Sequence, residues 1–190
     1  MSYRDSTKKL AAYRKQIAGI RGKMKTVQAK IAPQPVEDYA LATPAGRVKL
    51  SELFGGKKDL FLIHNMGSSC PYCTLWADGF NGLYDHLADR AAFVVCSPDP
   101  PLAQKKFAVG RGWRFPMVSH QGTNFAADMG YRGKAGGWIP GVSAFKREKD
   151  KVVRVSDAPL HPGDDFCALW HIFDLLPEGA GDWGAKFKYG

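Results

Sequence analysis

Two cysteines three residues apart are the residues of this chain with the clearest chemistry. Cys70 and Cys73 enclose Pro71 and Tyr72, and they follow an apolar run over residues 60–65. Pro71 suits the first position of a helix, which places Cys70 at the N-cap and Cys73 one turn inside. The helix dipole and the unpaired amides at that end favour a thiolate on Cys70. We therefore predict thiol–disulfide exchange, in which Cys70 attacks a disulfide and Cys73 resolves the mixed disulfide.

A Cys-x-x-Cys pair could also be one half of a zinc site, so the other possible ligands matter. Cys96 lies alone in an apolar run, Cys167 lies alone in the last predicted helix, and the five histidines are scattered. We interpret Cys96 and Cys167 as buried small apolar residues. The sequence thus predicts no metal and no organic cofactor. The electrons would come from an external thiol or a thioredoxin-type donor.

The elements that must position the cysteines alternate between short apolar runs and helical patterns. Strands are predicted at residues 60–65, 91–96 and 115–119, with an antiparallel hairpin over 141–146 and 152–155. Helices are predicted at residues 71–86, 102–109 and 124–129, and a final helix begins at Asp164 or Asp165. This order indicates an α/β fold with a mixed central sheet flanked by helices. No run of 18 apolar residues occurs, so we expect no membrane partner and a cytoplasmic location.

The net charge of +9 belongs almost entirely to the N-terminal segment. Residues 1–31 carry nine basic residues and one acidic residue, whereas residues 32–190 carry 18 basic and 17 acidic residues. Apolar residues in this segment recur at alternating steps of three and four, which is a heptad pattern typical of a coiled-coil helix. They are Leu10, Tyr13, Ile17, Ile20, Met24, Val27 and Ile31.

We predict a basic helix over residues 1–32 and a second domain over residues 36–190. Ser6 or Asp5 would cap the helix, and Pro33 and Pro35 would end it. The apolar seam must be buried, either on its own domain or in a homodimer through the helix. Binding of the basic residues to nucleic acid or anionic lipid ranks below these alternatives, because charge needs only water.

The order of the elements resembles the thioredoxin fold. A strand, the Cys-x-x-Cys pair and a helix are followed later by Trp138-Ile139-Pro140 and an antiparallel hairpin. The resemblance implies that Pro140 follows a cis bond beside Cys70 and presents backbone groups to a disulfide substrate. Ile139, Trp138 and Tyr72 are the further candidate substrate contacts. The extra strand–helix unit between Cys73 and Pro140 resembles the peroxiredoxin-like branch of the fold.

A closer resemblance is to a bacterial family of thioredoxin-like proteins that is catalogued as a domain of unknown function. It is carried by residues 48–54, by Cys70-x-x-Cys73-x-x-Trp76-Ala77-Asp78-Gly79-Phe80, by Gly112-Trp113-Arg114-Phe115-Pro116, and by Pro140-Gly141-Val142-Ser143-x-Phe145. The resemblance implies a fold but no reaction, so function rests on the site.

His64 lies six residues before Cys70, where thioredoxin has a buried acid that passes a proton to the second cysteine. The resemblance makes His64 a candidate proton relay for Cys73; the alternative is a core histidine bonded to its surroundings. Trp76 and Phe80 are interpreted as packing residues, and Asp78 as either a local ion-pair partner or a group that tunes the site. Two other functions stay open. One is a redox-sensing or interaction module without catalysis, and the other is a thiol peroxidase, which would need a threonine and an arginine near its cysteine.

Overall fold

A computed structural model describes residues 1–190 and divides them into two units, Met1–Pro33 and Gln34–Gly190. The first unit is helix α1, Tyr3–Gln28, and none of its residues is buried. Ser2 caps it by accepting a hydrogen bond from the Asp5 amide, so the cap lies earlier than the predicted Ser6 or Asp5. The helix ends before the prolines, and Ile31 therefore lies beyond it. No helix of the structure is both long and apolar enough to cross a membrane.

The second unit is built on one sheet of eight strands. Its spatial order is β1-β8-β7-β4-β5-β6-β2-β3, in which β4, β5 and β6 are parallel and all other neighbours are antiparallel. The strands are β1 Gln34–Val36, β2 Ala40–Thr43, β3 Gly46–Lys49, β4 Asp59–His64, β5 Ala92–Ser97, β6 Met117–Ser119, β7 Gly141–Glu148 and β8 Lys151–Pro159.

Helices cover both faces of this sheet. They are a 3-10 helix Leu50–Phe54, α2 Pro71–Gly82, α3 Tyr84–Arg90, α4 Pro101–Arg111, α5 Phe125–Asp128 and α6 Ala168–Phe173. The predicted helix over 71–86 is in fact two helices that meet at Leu83, next to Gly82, which has a low helix propensity. The last helix begins later than predicted, because Asp164 accepts hydrogen bonds from the amides of Phe166 and Cys167 outside the helix.

The side chains of the central strand β4 alternate between two hydrophobic clusters. Leu60 and Leu62 point to one cluster with Phe125 and Tyr131, which we call the α5 face. Phe61 and Ile63 point to the other with the α2 residues Trp76, Ala77 and Phe80, which we call the α2 face. The architecture is the predicted one, a mixed α/β sheet of thioredoxin-like type with a strand–helix insertion and an N-terminal helix. This alternation decides which side chains of β4 can reach the cysteines.

Candidate active site

Cys70 and Cys73 lie at the start of α2, in the arrangement that the sequence predicts. Cys70 is the N-cap, Pro71 is the first helical residue, and the Cys70 Sγ accepts the amide N–H of Cys73 at 3.1 Å. The Cys70 carbonyl accepts both the amide and the hydroxyl of Thr74, at 3.1 and 3.0 Å. Cys70 is half-buried and Cys73 is only 3% exposed. The Cys70 sulfur, which is the more accessible of the two, is therefore also the one that accepts a hydrogen bond from the helix backbone.

The electrostatics of the pair separate the two thiols. The hydrogen bond from the Cys73 side chain and the backbone N–H groups of Cys73 and Tyr72 lower the pKa of Cys70 to about 6, against the opposing effect of burial. The same hydrogen bond and burial raise the pKa of Cys73. Near neutral pH, Cys70 is thus a thiolate and Cys73 is a thiol that donates to it. This is the charge distribution that a nucleophile and a resolving thiol require.

The loop from Asn65 to Ser69 holds the pair from the strand side. The amide of Met66 donates to the Cys73 Sγ at 3.4 Å. Asn65 is buried; its side-chain oxygen accepts the Gly67 amide at 2.7 Å, and its side-chain nitrogen lies 3.5 Å from the Cys73 carbonyl. The sequence analysis did not single out Asn65. The signal was its position directly after a buried strand that precedes the cysteines.

Asp99 anchors the same loop from the neighbouring strand, and sequence reasoning missed it too. It follows β5, and its carboxylate accepts the Ser68 amide at 2.7 Å and the Ser97 hydroxyl at 3.2 Å. Gly67 has φ +109°, and a Cβ built there would lie 3.0 Å from the Asp99 carboxylate, so the loop needs glycine at this position. The ends of parallel strands meet at one edge of a sheet, and this rule could have placed Asp99 beside the loop.

Tyr72, between the two cysteines, belongs to an aromatic cluster on the α2 face. Its ring is 6.3 Å from that of Trp170 of α6 and 6.4 Å from that of Trp76. Trp170 in turn contacts Trp183 near the C-terminus, with ring centres 6.1 Å apart. Tyr72 is partly exposed, so it both packs on the C-terminal segment and borders Cys70.

The segment before β7 ends at the sheet edge that carries the cysteines, because Gly141 pairs with His64 at the end of β4. The prediction of a cis bond before Pro140 is wrong: the chain contains no cis peptide bond. Trans is the lower-energy state of an X-Pro bond, and hydrogen bonds on both sides hold the segment extended here. The Ile139 amide donates to the Tyr131 carbonyl at 2.9 Å, and the Pro140 carbonyl accepts the Leu160 amide at 3.1 Å.

These hydrogen bonds limit which backbone groups of the segment could meet a substrate. The Ile139 N–H and the Pro140 carbonyl are bonded within the protein, so these two groups are not open to a substrate backbone. The side chains remain accessible. Ile139 is 39% exposed, and Trp138 is partly exposed. The ring centre of Trp138 lies 4.5 Å from that of His120, and the Arg132 guanidinium lies over the Trp138 ring at 5.2 Å.

His64 is not brought to the cysteines. His64 is two residues after Leu62, so its side chain lies on the same side of β4, the α5 face. Helix α2, which carries the cysteines, packs on the opposite face. Its ring stacks on Tyr131 at 3.7 Å, and its Nε2 is hydrogen bonded to the Ser143 hydroxyl at 3.0 Å. Burial lowers the pKa of His64 well below the ordinary value. The geometry is that of the alternative interpretation, a core histidine, and the proton-relay prediction finds no support in it.

The remaining singled-out residues have structural surroundings. Asp78 accepts hydrogen bonds from the Arg111 guanidinium and from the Trp113 indole, so it is a local partner that ties α2 to α4. Cys96 and Cys167 are buried and unpaired, as predicted, and burial raises the pKa of both. The structure gathers no group of three or more His, Cys, Asp or Glu residues that could hold a metal ion.

Solved structures with a similar fold include peroxiredoxins. Peroxidoxin BcpB from Mycobacterium tuberculosis is 31% identical, with 67% of this chain and 84% of that chain covered and a TM-score of 0.54. Reduced Prx3 from Vibrio vulnificus is 18% identical, with 70% and 90% covered and a TM-score of 0.57. Peroxiredoxin Q from Xanthomonas campestris is 20% identical, with 64% and 80% covered and a TM-score of 0.54. Fold and cysteine pair together define a thioredoxin-like protein of the peroxiredoxin type and indicate thiol-based redox chemistry.

The particular family is bacterial and has no assigned reaction. A profile of the family described as "Bacterial protein of unknown function (DUF899)" matches residues 3–189, so the chain belongs to that family. This confirms the resemblance found in the sequence. No curated protein matches the chain.

Proposed function

We propose that this protein is a thiol–disulfide oxidoreductase that works through the Cys70–Cys73 pair in the cytoplasm. The observation that carries the proposal is the polarised pair itself. The Cys70 Sγ accepts the Cys73 N–H at 3.1 Å at the start of α2, and its pKa is lowered to about 6 while that of Cys73 is raised. A reducing compartment would keep both thiols available for reaction.

The reaction conserves electrons in two exchange steps. The Cys70 thiolate attacks one sulfur of a protein or small-molecule disulfide, forms a mixed disulfide and releases one substrate thiolate. Cys73 then loses its proton and attacks the Cys70 sulfur, which releases the second substrate thiolate and leaves a Cys70–Cys73 disulfide. The substrate gains two electrons, and the released thiolates take up the proton of Cys73 and one from solvent. An external thiol or thioredoxin-type donor reduces the pair again.

The side chains that border the pair are the proposed substrate contacts. Tyr72 lies between the cysteines, and Trp138 and Ile139 precede the strand that pairs with β4. Because the Ile139 N–H and the Pro140 carbonyl are bonded internally, we assign recognition there mainly to apolar and aromatic side-chain surface.

The experiment is a single turnover of the reduced protein with glutathione disulfide, followed by intact mass measurement and peptide mapping. Cys73→Ser should accumulate a mixed disulfide on Cys70, and Cys70→Ser should form none. Cys167→Ser is the matched control, since Cys167 is the N-cap of α6 and serine is a good N-cap residue. It should react like the wild-type chain. If Cys73→Ser captures no glutathione while it remains folded, the pair is not an exchange site, and the interaction-module alternative gains.

A thiol peroxidase is the second candidate, and the likeness to peroxiredoxins favours it. The Cys70 thiolate would attack the O–O bond of a hydroperoxide, form a sulfenic acid and release an alkoxide, which takes a proton from solvent to become the alcohol. Cys73 would then condense with the sulfenic acid to give the same disulfide and water. The hydrogen bonds to the Cys70 thiol and carbonyl come from Tyr72, Cys73 and Thr74, and none comes from an arginine. Oxidation of the pair by hydrogen peroxide at least about 100-fold faster than by glutathione disulfide would favour the peroxidase.

A further inference from the structure

The apolar stripe on α1 is narrow, and its edges are basic. Leu10, Ile17 and Met24 occupy heptad position a, and Tyr13, Ile20 and Val27 occupy position d; all six are between 46% and 66% exposed. The flanking positions e and g hold Lys9, Arg14, Gln16, Arg21, Lys23 and Gln28. A stripe confined to a and d is the width of a coiled-coil seam, and it is narrower than the apolar face of a helix that packs on a domain or enters a lipid surface.

The outer positions of α1 show a different composition. Over Tyr3–Gln28 the seven e and g positions carry four basic residues, and the eleven b, c and f positions carry four basic residues and Asp5. Small residues are common at the outer positions, where both helix glycines also lie. Positive charge is therefore denser beside the apolar stripe, where a partner helix would place its own flanking residues, although it is not confined to that edge.

These flanks disfavour a second copy of this chain as the partner. In a parallel pair, position g of one helix faces position e of the next heptad in its partner, so Lys9 would face an Arg14. In an antiparallel pair, like positions face each other, and Arg14 and Lys23 would again meet only basic or neutral residues. Asp5 is the one acidic residue of the segment, and it is bonded to Ser2 at the N-terminus of the helix. Neither orientation offers a compensating carboxylate.

We propose that α1 is a docking helix for another protein, and that its partner is an amphipathic helix with an apolar heptad seam flanked by Glu or Asp. Such a helix buries the a and d residues of α1 and neutralises both of its edges. Nucleic acid would match the charge but leave the apolar stripe exposed to water. An anionic membrane would match the charge but needs a wider apolar face. A helical partner with acidic flanks accounts for both features.

The probe is a synthetic 28-residue peptide with Ile and Leu at a and d and Glu at e and g; its own charges keep it from pairing with itself. A sister peptide has Lys in place of each Glu. We expect the full-length protein to bind the Glu peptide and to bind the Lys peptide at least about tenfold more weakly. Affinity for the Glu peptide should fall by about tenfold between 0.05 M and 0.5 M salt, because flanking charges are screened.

Two triple variants with the same change of charge distinguish coiled-coil pairing from non-directional electrostatic attraction between the basic helix and the acidic peptide. Lys9→Glu, Arg14→Glu and Lys23→Glu reverse the flanks, and this variant should prefer the Lys peptide. Lys8→Glu, Lys15→Glu and Lys25→Glu change only outer positions, and this variant should keep its preference for the Glu peptide. Equal loss in both variants would overturn the proposal in favour of non-directional charge attraction.

The double variant Ile17→Asp, Ile20→Asp tests the seam and should abolish peptide binding. Light scattering then tests the homodimer. If the wild-type chain is a dimer at low micromolar concentration and the seam variant is a monomer, α1 pairs with itself and the proposal is wrong. Failure of the folded wild-type chain to bind the Glu peptide, or tighter binding to phosphatidylglycerol vesicles or duplex DNA, would also overturn it.

Discussion

The loop that leads into Cys70 and the segment that leads into β7 reach the same edge of the sheet, yet they use their backbone groups in opposite ways. In the first, the amides of Met66 and Cys73 donate to the two sulfur atoms. In the second, the Ile139 amide and the Pro140 carbonyl are bonded to neighbouring residues of the protein. The first region prepares a nucleophile, and the second has two of its backbone groups already bonded and exposes side-chain surface. Reactivity and recognition are therefore predicted to respond separately to mutation.

The largest effect is expected at the nucleophile. With a pKa of about 6, Cys70 is mostly ionised at pH 7, which gives it an about 30-fold larger thiolate fraction than an ordinary thiol. Its alkylation rate by iodoacetamide should therefore be half-maximal near pH 6, and Cys73 should react far more slowly. Peptide mapping across a pH series measures both rates.

Removing the hydrogen-bonding side chain at position 73 sharpens this test. Cys73→Ala loses the donor that contributes most to the low pKa of Cys70, so its alkylation midpoint should move to higher pH. Cys73→Ser keeps a hydroxyl donor and should stay closer to the wild-type midpoint. Preferential labelling of Cys73 in the wild-type chain would contradict the assignment of roles.

A smaller effect is expected from the residues that hold the loop. Asn65→Ala leaves the Gly67 amide without its 2.7 Å acceptor, and a lost buried hydrogen bond of this kind costs about 1–3 kcal/mol. We expect a lower free energy of unfolding and a raised alkylation midpoint of Cys70, because the loop also places the Met66 amide against the Sγ of Cys73, the side chain that donates to Cys70. Urea denaturation and the pH series measure the two effects.

Asp99→Asn is the milder companion, since its amide oxygen can still accept the Ser68 N–H. It should change the midpoint less than Asn65→Ala does. An Asn65→Ala protein with the wild-type midpoint would show that the loop does not control the pair.

The part of the site that could be predicted from sequence is the part built by local rules. Proline after cysteine at a helix start fixes Cys70 as the N-cap, and that rule depends on four consecutive residues. The fold class followed from the order of apolar runs, which the sheet bears out. Asn65 and Asp99 were missed because their role depends on two strands ending side by side; each lies at or shortly after the end of a predicted strand, and only the pairing of those strands reveals that they meet.

His64 shows a second way in which sequence reasoning fails. Its distance from Cys70 along the chain matched a proton relay, but side chains alternate across a strand, and one position decides the face. The hydrogen bonds of Ile139 and Pro140 likewise depend on Tyr131 and Leu160, which lie far from the cysteine motif along the chain. Spacing along the sequence therefore predicts neither the sheet face on which the His64 side chain lies nor the backbone path of the segment before β7.

The segment before β7 should tolerate change at its proline. Pro140→Ala removes no hydrogen bond, and the trans bond already present suits alanine, so the exchange rate should change less than about threefold. Trp138→Ala removes an aromatic surface and should raise the KM for a peptide disulfide more than it lowers kcat. A large loss of kcat in a folded Pro140→Ala protein would show that the proline acts on the reacting sulfur itself.

The smallest effect on exchange, and a clear one on stability, is expected from His64. Because burial holds its pKa well below the usual value, His64 stays neutral in the folded state while the unfolded chain binds a proton below about pH 6.5. Unfolding is therefore favoured as the pH falls below that value, by at most about 1.4 kcal/mol per pH unit for this group. His64→Phe keeps the stack on Tyr131 and Phe125 but removes the hydrogen bond between His64 and the Ser143 hydroxyl, so stability at pH 7 should fall. The free energy of unfolding should then change less steeply with pH between pH 5 and 6.5. Part of the pH dependence should remain, because burial also lowers the pKa of His120. Urea titrations across this pH range measure this dependence.

The same variant tests the proton relay. The pH dependence of mixed-disulfide resolution should be the same in the wild-type and His64→Phe proteins, and a shift in that profile would restore His64 as a relay for Cys73.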